Sequence, residues 1–230
     1  MKPYYKDKWT TIYHGDCRDV LPQLDKVDLV LTDPPYGLAR FKNGIGEHSR
    51  LQIKSISTAF NNNTPDRATL LALLCKGKEA CIWGMNNFKL PVTEHFLVWD
   101  KAQTVDNFAS AELAWCNFRQ PAKVFHYSTV KHNQTKLKVH PTEKPEELMR
   151  WCIMLADSPQ TILDPFMGSG TTLRAAKDLQ RKAIGIEIEE RYCEIAAKRL
   201  AQGTPRKEIK TKVDLKNVQP GFGLMRNLSQ

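Results

Sequence analysis

No stretch of this 230-residue chain approaches the ~18 consecutive apolar residues of a membrane-spanning helix, although 41% of it is hydrophobic. A transmembrane protein is therefore excluded. The lysines of MKPYYKDKWT have no apolar segment behind them, so no secretory signal is read and a cytosolic location is expected. None of the six cysteines (Cys17, Cys75, Cys81, Cys116, Cys152 and Cys193) falls in a Cys-x-x-Cys pair. A structural zinc and a disulfide framework thus lack their usual spacing, no metal is expected, and all six read as small hydrophobes. Internal repeats and low-complexity tracts are absent as well. The length suits one packed α/β domain without staples.

What the chain has in excess is positive charge. Thirty-four Lys and Arg stand against 25 Asp and Glu, a formal net of +9, which favours a polyanionic partner. From Arg119 to Lys138 there are five basic residues (Arg119, Lys123, Lys131, Lys136, Lys138) and no acid, with Phe125, His126, Tyr127 and His132 interleaved. A second stretch, Arg40, Lys42, Arg50 and Lys54 against Glu47, has the Gly, Ser and Asn content of a loop. Both fit a nucleic-acid surface, and both also fit a solvated basic face. Beyond Gly203-Thr204-Pro205 the apolar period fades into a basic extension over 203–230.

Short apolar runs alternate with helical patterns, which predicts α/β architecture with a mainly parallel sheet. Strands are predicted at 9–13, 27–31, 79–83, 96–99, 112–116, 123–127, 161–163 and 183–186, and helices after Thr64 and over 143–156, 170–180 and 189–200. In the second helix Leu148, Trp151, Cys152 and Leu155 share one face, so they belong to the core. Trp83, Trp99 and Trp115 close strand-like runs and read as core or pocket wall.

Two segments carry chemistry. In Leu29-Val30-Leu31-Thr32-Asp33-Pro34-Pro35-Tyr36-Gly37, an apolar strand ends in a carboxylate, two rigid prolines and an aromatic ring. Loops beyond the carboxyl ends of parallel strands form the ligand crevice of an open α/β sheet, which places Asp33 and Tyr36 there. A carboxylate beside proline carbonyls suits an amino group, and a tyrosine face suits a stacked base. The other segment, Ile162-Leu163-Asp164-Pro165-Phe166-Met167-Gly168-Ser169-Gly170-Thr171-Thr172, is a strand, a glycine turn and a helix start whose N–H groups can approach a ligand. A triphosphate loop requires a lysine directly after the last glycine, and Thr171 stands there. After one helix, Lys182 to Glu187 supplies another strand ending in an acid, able to take hydrogen bonds from ribose hydroxyls. Together these form a nucleoside-binding βαβ unit.

DPPYG at 33–37, HPTEKP at 140–145, DPFMGSGTT at 164–172 and GIEIEERY at 185–192 together resemble the S-adenosylmethionine-dependent amino DNA methyltransferases. Because the catalytic tetrapeptide precedes the cofactor loop, the order resembles the circularly permuted β group. The resemblance implies a single Rossmann-like catalytic domain over 1–202, a variable recognition region at about 100–139, and bacterial, archaeal or phage restriction-modification enzymes as kin. It implies S-adenosylmethionine as cofactor, DNA as partner, and a monomer or homodimer. Asp33, Pro34, Pro35 and Tyr36 match its catalytic motif. Asp164, Phe166, Gly168, Ser169, Gly170, Thr171 and Thr172 match its cofactor loop, and Glu187 its ribose acid. Asp16, in His14-Gly15-Asp16, matches the adenine contact of the cofactor, a position where an Asp also makes turns. Lys144 and Thr142 match positions near the methionine end, although Thr142 is equally suited to cap the following helix. The basic residues at 40, 42, 50, 119, 123, 131, 136 and 138 are then expected to meet DNA.

The implied reaction is methyl transfer to the N6 amino group of adenine. Cytosine N4 methylation shares its mechanism, and in the family goes more often with Ser than Asp at the first motif position. Carbon-5 cytosine chemistry needs a nucleophilic cysteine, usually after a proline, and none of the 13 prolines precedes one. A catalytically silent DNA-binding subunit is the reading from another class, and the intact Asp33, Tyr36 and Glu187 argue against it.

Overall fold

The computed structural model describes residues 1–37, 64–103, 109–128 and 143–202 of the protein. Arg40, Lys42, Arg50, Lys131, Lys136, Lys138, Thr142 and the extension from residue 203 lie outside the described residues.

Among the described residues, nine strands form one sheet in the order β1-β2-β9-β8-β3-β4-β6-β5-β7. They are β1 (Tyr5–Lys6), β2 (Thr10–His14), β3 (Val27–Thr32), β4 (Gly77–Trp83), β5 (Phe96–Asp100), β6 (Ala111–Cys116), β7 (Lys123–His126), β8 (Thr161–Asp164) and β9 (Lys182–Glu187). Parallel pairing links β2, β9, β8, β3 and β4 in that order, and β6 alone reverses within the wing that carries β5 and β7. The near-continuous apolar run of β3 is that of a central parallel strand covered on both faces. At its start the Asp28 carboxylate accepts the N–H groups of Gln160 and Thr161, each at 3.0 Å, and receives Lys78 Nζ at 2.6 Å, fixing the register of β3 between β8 and β4.

Helices α1 (Cys17–Val20) and α2 (Arg67–Lys76) cover one face, burying Val20, Leu70 and Leu73 against Val30, Leu163 and Ile186. The other face is covered by α3 (Glu146–Leu155), α4 (Thr171–Asp178) and α5 (Glu190–Ala201), through Leu148, Cys152, Leu173 and Leu200. Asp66 starts α2 by accepting the Thr69 N–H at 2.7 Å. Cationic side chains close the last turn of α5: Arg174 donates to the Gln202 carbonyl at 3.0 Å, and Lys177 to that of Leu200 at 2.8 Å. Lys177 also reaches Asp7 Oδ2 at 2.5 Å.

All eight strands and four helices read from the sequence are present, with ends shifted by a few residues. The two-residue β1 is an addition, held as a hairpin by Asp7, which accepts the N–H groups of Trp9 and Thr10. The third helix starts at Glu146 rather than residue 143, after Lys144 and Pro145. A residue before proline is pushed out of the helical region, so Lys144 cannot join that helix. Trp83, Trp99 and Trp115 are all buried, as read. Cys75 departs from the others: it is exposed, while five cysteines are buried.

Candidate active site

Three motif segments, DPPYG, DPFMGSGTT and GIEIEERY, together with His14-Gly15-Asp16, lie at the carboxyl ends of four adjacent strands, β3, β8, β9 and β2. Between them lies a cavity of about 400 Å³ whose walls include Asp16, Pro35, Asp66, Phe166, Glu187 and Ile188. That volume suits a nucleoside-sized ligand. The rear of the cavity is stitched together by backbone bonds, Gly15 N–H to the Glu187 carbonyl at 2.9 Å and Met167 N–H to that of Ile186 at 3.1 Å.

Glu187, 2% exposed, uses one carboxylate oxygen for the Gly168 N–H at 2.9 Å and the other for the Glu189 N–H at 2.8 Å. Burial nonetheless pushes its carboxyl up to about 7. Asp164 is lifted by burial to about 6, while Thr32 Oγ1 donates to its Oδ1 at 2.7 Å. Gly170 has φ +82°, and a Cβ on it would stand 2.8 Å from that of Ala196, so glycine is required where α4 begins. Ser169, Thr171 and Thr172 are buried around this turn. Asp16 caps α1 through the Arg18 N–H at 2.8 Å and also lines the cavity, with Arg18 holding its carboxyl below the ordinary value.

On the other side of Pro35 lies a compact ionic cluster. The Tyr36 hydroxyl donates to Asp33 Oδ1. Lys144 Nζ reaches Asp33 Oδ2 at 2.5 Å, the Tyr36 oxygen at 3.1 Å and Glu112 Oε2 at 2.9 Å. Lys101 holds the second Glu112 oxygen at 2.5 Å. Burial raises the Asp33 carboxyl, against the opposing pull of Lys144. Burial also disfavours the Lys144 charge, but Asp33, Tyr36 and Glu112 outweigh it and hold the ammonium well above its ordinary value. Glu112 is the contrary case: burial would raise it, yet Lys144 and Lys101 hold it down at about 2. The Tyr36 ring packs on Gly84, where a Cβ would sit 2.1 Å from Cε1, and meets the edge of Phe88 at a centroid distance of 6.0 Å. Such a cluster provides a fixed hydrogen-bond acceptor beside an aromatic face.

Lys144, matched from sequence to the cofactor, therefore sits on the Asp33 carboxylate, because Pro145 keeps it outside α3. Arg119 and Lys123 fare differently. Arg119 follows the reversed strand β6 and lies beside Asp28, Lys78 and Asp157, where β3 and β4 begin. Lys123 opens β7 at the same end. Both stand at the end of the sheet opposite Asp33, away from the crevice. Glu112 and Lys101 were not singled out in the sequence; the signal was an acid opening the otherwise apolar β6, paired in register with Trp99.

The layered sheet with its crevice at the strand ends is the architecture of class I methyltransferases. Residues 82–198, just over half of the chain, match the N6/N4 methyltransferase family, described as DNA methylase, and the protein belongs to that family. It is 29% identical to the type II methyltransferase M.HinfI of Haemophilus influenzae, over 89% of this chain and 72% of that relative. The DNA adenine methyltransferase YhdJ of Escherichia coli is 25% identical, over 83% of this chain and 82% of its own. Among solved structures, the M1.HpyAVI–SAM complex superposes with a TM-score of 0.52 at 25% identity, covering 83% of this chain and 99% of that one.

Proposed function

We propose that this DNA methylase transfers the methyl group of S-adenosylmethionine to the exocyclic N6 amino group of adenine in DNA. The observation that carries the reading is a shared wall: Pro35 lines the nucleoside-sized cavity with Phe166 and Glu187, while Asp33, two residues earlier, holds the adjoining ionic cluster. A methyl acceptor held at Asp33 thus meets the mouth of the cofactor crevice. The residues fit the cofactor. Each Glu187 oxygen takes one backbone N–H and keeps lone-pair capacity for ribose hydroxyls. The glycine turn and the start of α4 supply N–H donors for a carboxylate, and Asp16 and Phe166 offer an acceptor and an apolar face to adenine. When bound, the cofactor supplies an electrophilic methyl group on sulfonium.

Adenine's amino nitrogen is a poor nucleophile because its lone pair is delocalised into the ring. Asp33 accepts one N–H and the Pro34 carbonyl the other, which favours pyramidal nitrogen and directs the lone pair at the methyl group. Asp33 then takes the proton that the methylated amine releases. The target must leave the duplex to reach this site, and Tyr36 offers the stacking face. Asp at position 33 and the likeness to a named adenine methyltransferase favour adenine over cytosine. The segment at about 100–139 is proposed as the recognition region, within a catalytic unit spanning 1–202.

Nucleoside mass spectrometry of DNA treated with the protein and S-adenosylmethionine is expected to show N6-methyladenine, and N4-methylcytosine would overturn the base assignment. Asp33→Ala should lower methyl transfer at least ~100-fold, while calorimetry finds cofactor affinity nearly intact. Substantial turnover by that variant would remove Asp33 from the mechanism.

A further inference from the structure

We propose that Glu112 is a positioning residue that shares the Lys144 ammonium with Asp33, and so limits how tightly that ammonium holds the carboxylate that receives the target amine. The inference deepens the proposed amino-methylation and rests on it. Lys144 has 4% of its side chain exposed, and its Nζ lies 2.5 Å from Asp33 and 2.9 Å from Glu112. An ammonium given to Asp33 alone would hold the one acceptor the reaction needs more tightly, in competition with the incoming amine. An Asp33 with no cation near it would be driven towards its neutral form by burial. Division between two carboxylates avoids both extremes.

Glu112 is itself balanced. Lys101, which also lies 5.2 Å from the centre of the Trp99 ring, holds its second oxygen at 2.5 Å. Two carboxylates and two ammonium groups therefore alternate as Asp33, Lys144, Glu112, Lys101, anchored on the loop after β3, the segment before α3, the start of β6 and the residue following β5. Among the described residues, the other groups facing the cluster are the Tyr36 hydroxyl, the Trp83 ring 6.0 Å from Lys144 Nζ, and Asp164, whose charge acts on Asp33 from the end of β8. None of these holds the far side of Lys144 as Glu112 does. Glu112 is absent from the cofactor cavity walls, so its removal acts on the amine side of the site.

The arrangement predicts opposite effects at its two ends. In Glu112→Gln, Lys144 pairs with Asp33 alone: single-turnover methyl transfer at saturating DNA and S-adenosylmethionine falls, and its acid limb moves down by about one pH unit. In Lys101→Met, Glu112 draws Lys144 towards itself, and the limb moves up by about as much. Calorimetric cofactor affinity is unchanged in both. A merely structural Glu112 would scale the whole profile without moving the limb. Limbs that coincide with wild type, or that move in the same direction, overturn the inference. Should Glu112→Gln fail the near-ultraviolet circular dichroism test of folding, the direction of the Lys101→Met limb decides alone. Active wild type with unmoved limbs overturns this inference only, whereas wild type that methylates no amino group in DNA overturns the proposed function and this inference with it.

Discussion

The backbone N–H of Gly168 donates to Glu187 Oε2 at 2.9 Å, so the acid at the end of β9 and the glycine turn after β8 form a single unit. Each holds the other in the shape the crevice requires. The carboxylate needs those N–H groups, because little solvent reaches it.

That burial gives Glu187 a pH signature. Its carboxyl moves from 4.5 to about 7 on folding, so as pH falls the folded chain takes up this proton before the unfolded chain does. The cost of the buried charge is therefore absent below about 4.5 and complete above about 7, and stability falls as pH rises through that window. The full difference is on the order of 3 kcal/mol. Glu187→Gln cannot titrate there, so urea unfolding of the ligand-free protein should show the variant gaining on wild type from pH 5 to pH 8. Parallel curves would contradict the raised value. Glu187→Ala should weaken S-adenosylmethionine binding by ~1.5–3 kcal/mol in calorimetry, the scale of hydrogen bonds to a charged group.

Gly84 sets the position of the Tyr36 ring. It has φ +77°, and an added Cβ meets three ring atoms. Gly84→Ala must strain the backbone and push the tyrosine away from its contact with Asp33, at about 1–3 kcal/mol of stability. Methyl transfer should fall about 10- to 100-fold, since a misplacement of this size disturbs the reacting geometry. Cofactor affinity should hold, because neither residue lines that cavity. An unchanged rate in a folded variant would show that the position of Tyr36 is not used.

Arg119 and Lys123 stand away from Asp33, and the salt dependence of DNA binding tests which basic residues meet phosphate. Lys131→Ala and Lys136→Ala should weaken DNA binding and each reduce the slope of log affinity against log salt by about 1, as loss of one phosphate contact does. Arg119→Ala and Lys123→Ala should leave that slope alone. A flattened slope in the latter pair would mean that DNA reaches the opposite end of the sheet.

The strands and both motif loops were legible because their signals are local. β3 and β8 are apolar runs cut off by Asp-Pro, and α3 carries its apolar face at helical spacing. Less legible were features set by pairing across the sheet. Glu112 joins Asp33 only because β6 runs backwards beside β4, and Arg119 is carried away from the crevice by the same reversal. A basic run in sequence does not reveal that two of its members stand at the end of the sheet opposite Asp33. The position of Lys144 was half visible: Lys-Pro forbids a helix at 144, but nothing local names the carboxylate it meets. Tyr5–Lys6 is too short for any alternation to show.

The ammonium of Lys177 touches the side chain of residue 7 and the carbonyl of residue 200 at once. Those two positions, almost two hundred residues apart, are spatial neighbours on the side of the sheet where β1 and β2 meet α5. The path between them is thus nearly a closed ring. A ring has no first element, and a chain bridged here and reopened in a surface connection elsewhere can trace the same strands with the glycine turn ahead of the Asp-Pro-Pro-Tyr loop. Which loop comes first is then a matter of where the ring is cut, while the crevice depends only on which strands lie side by side.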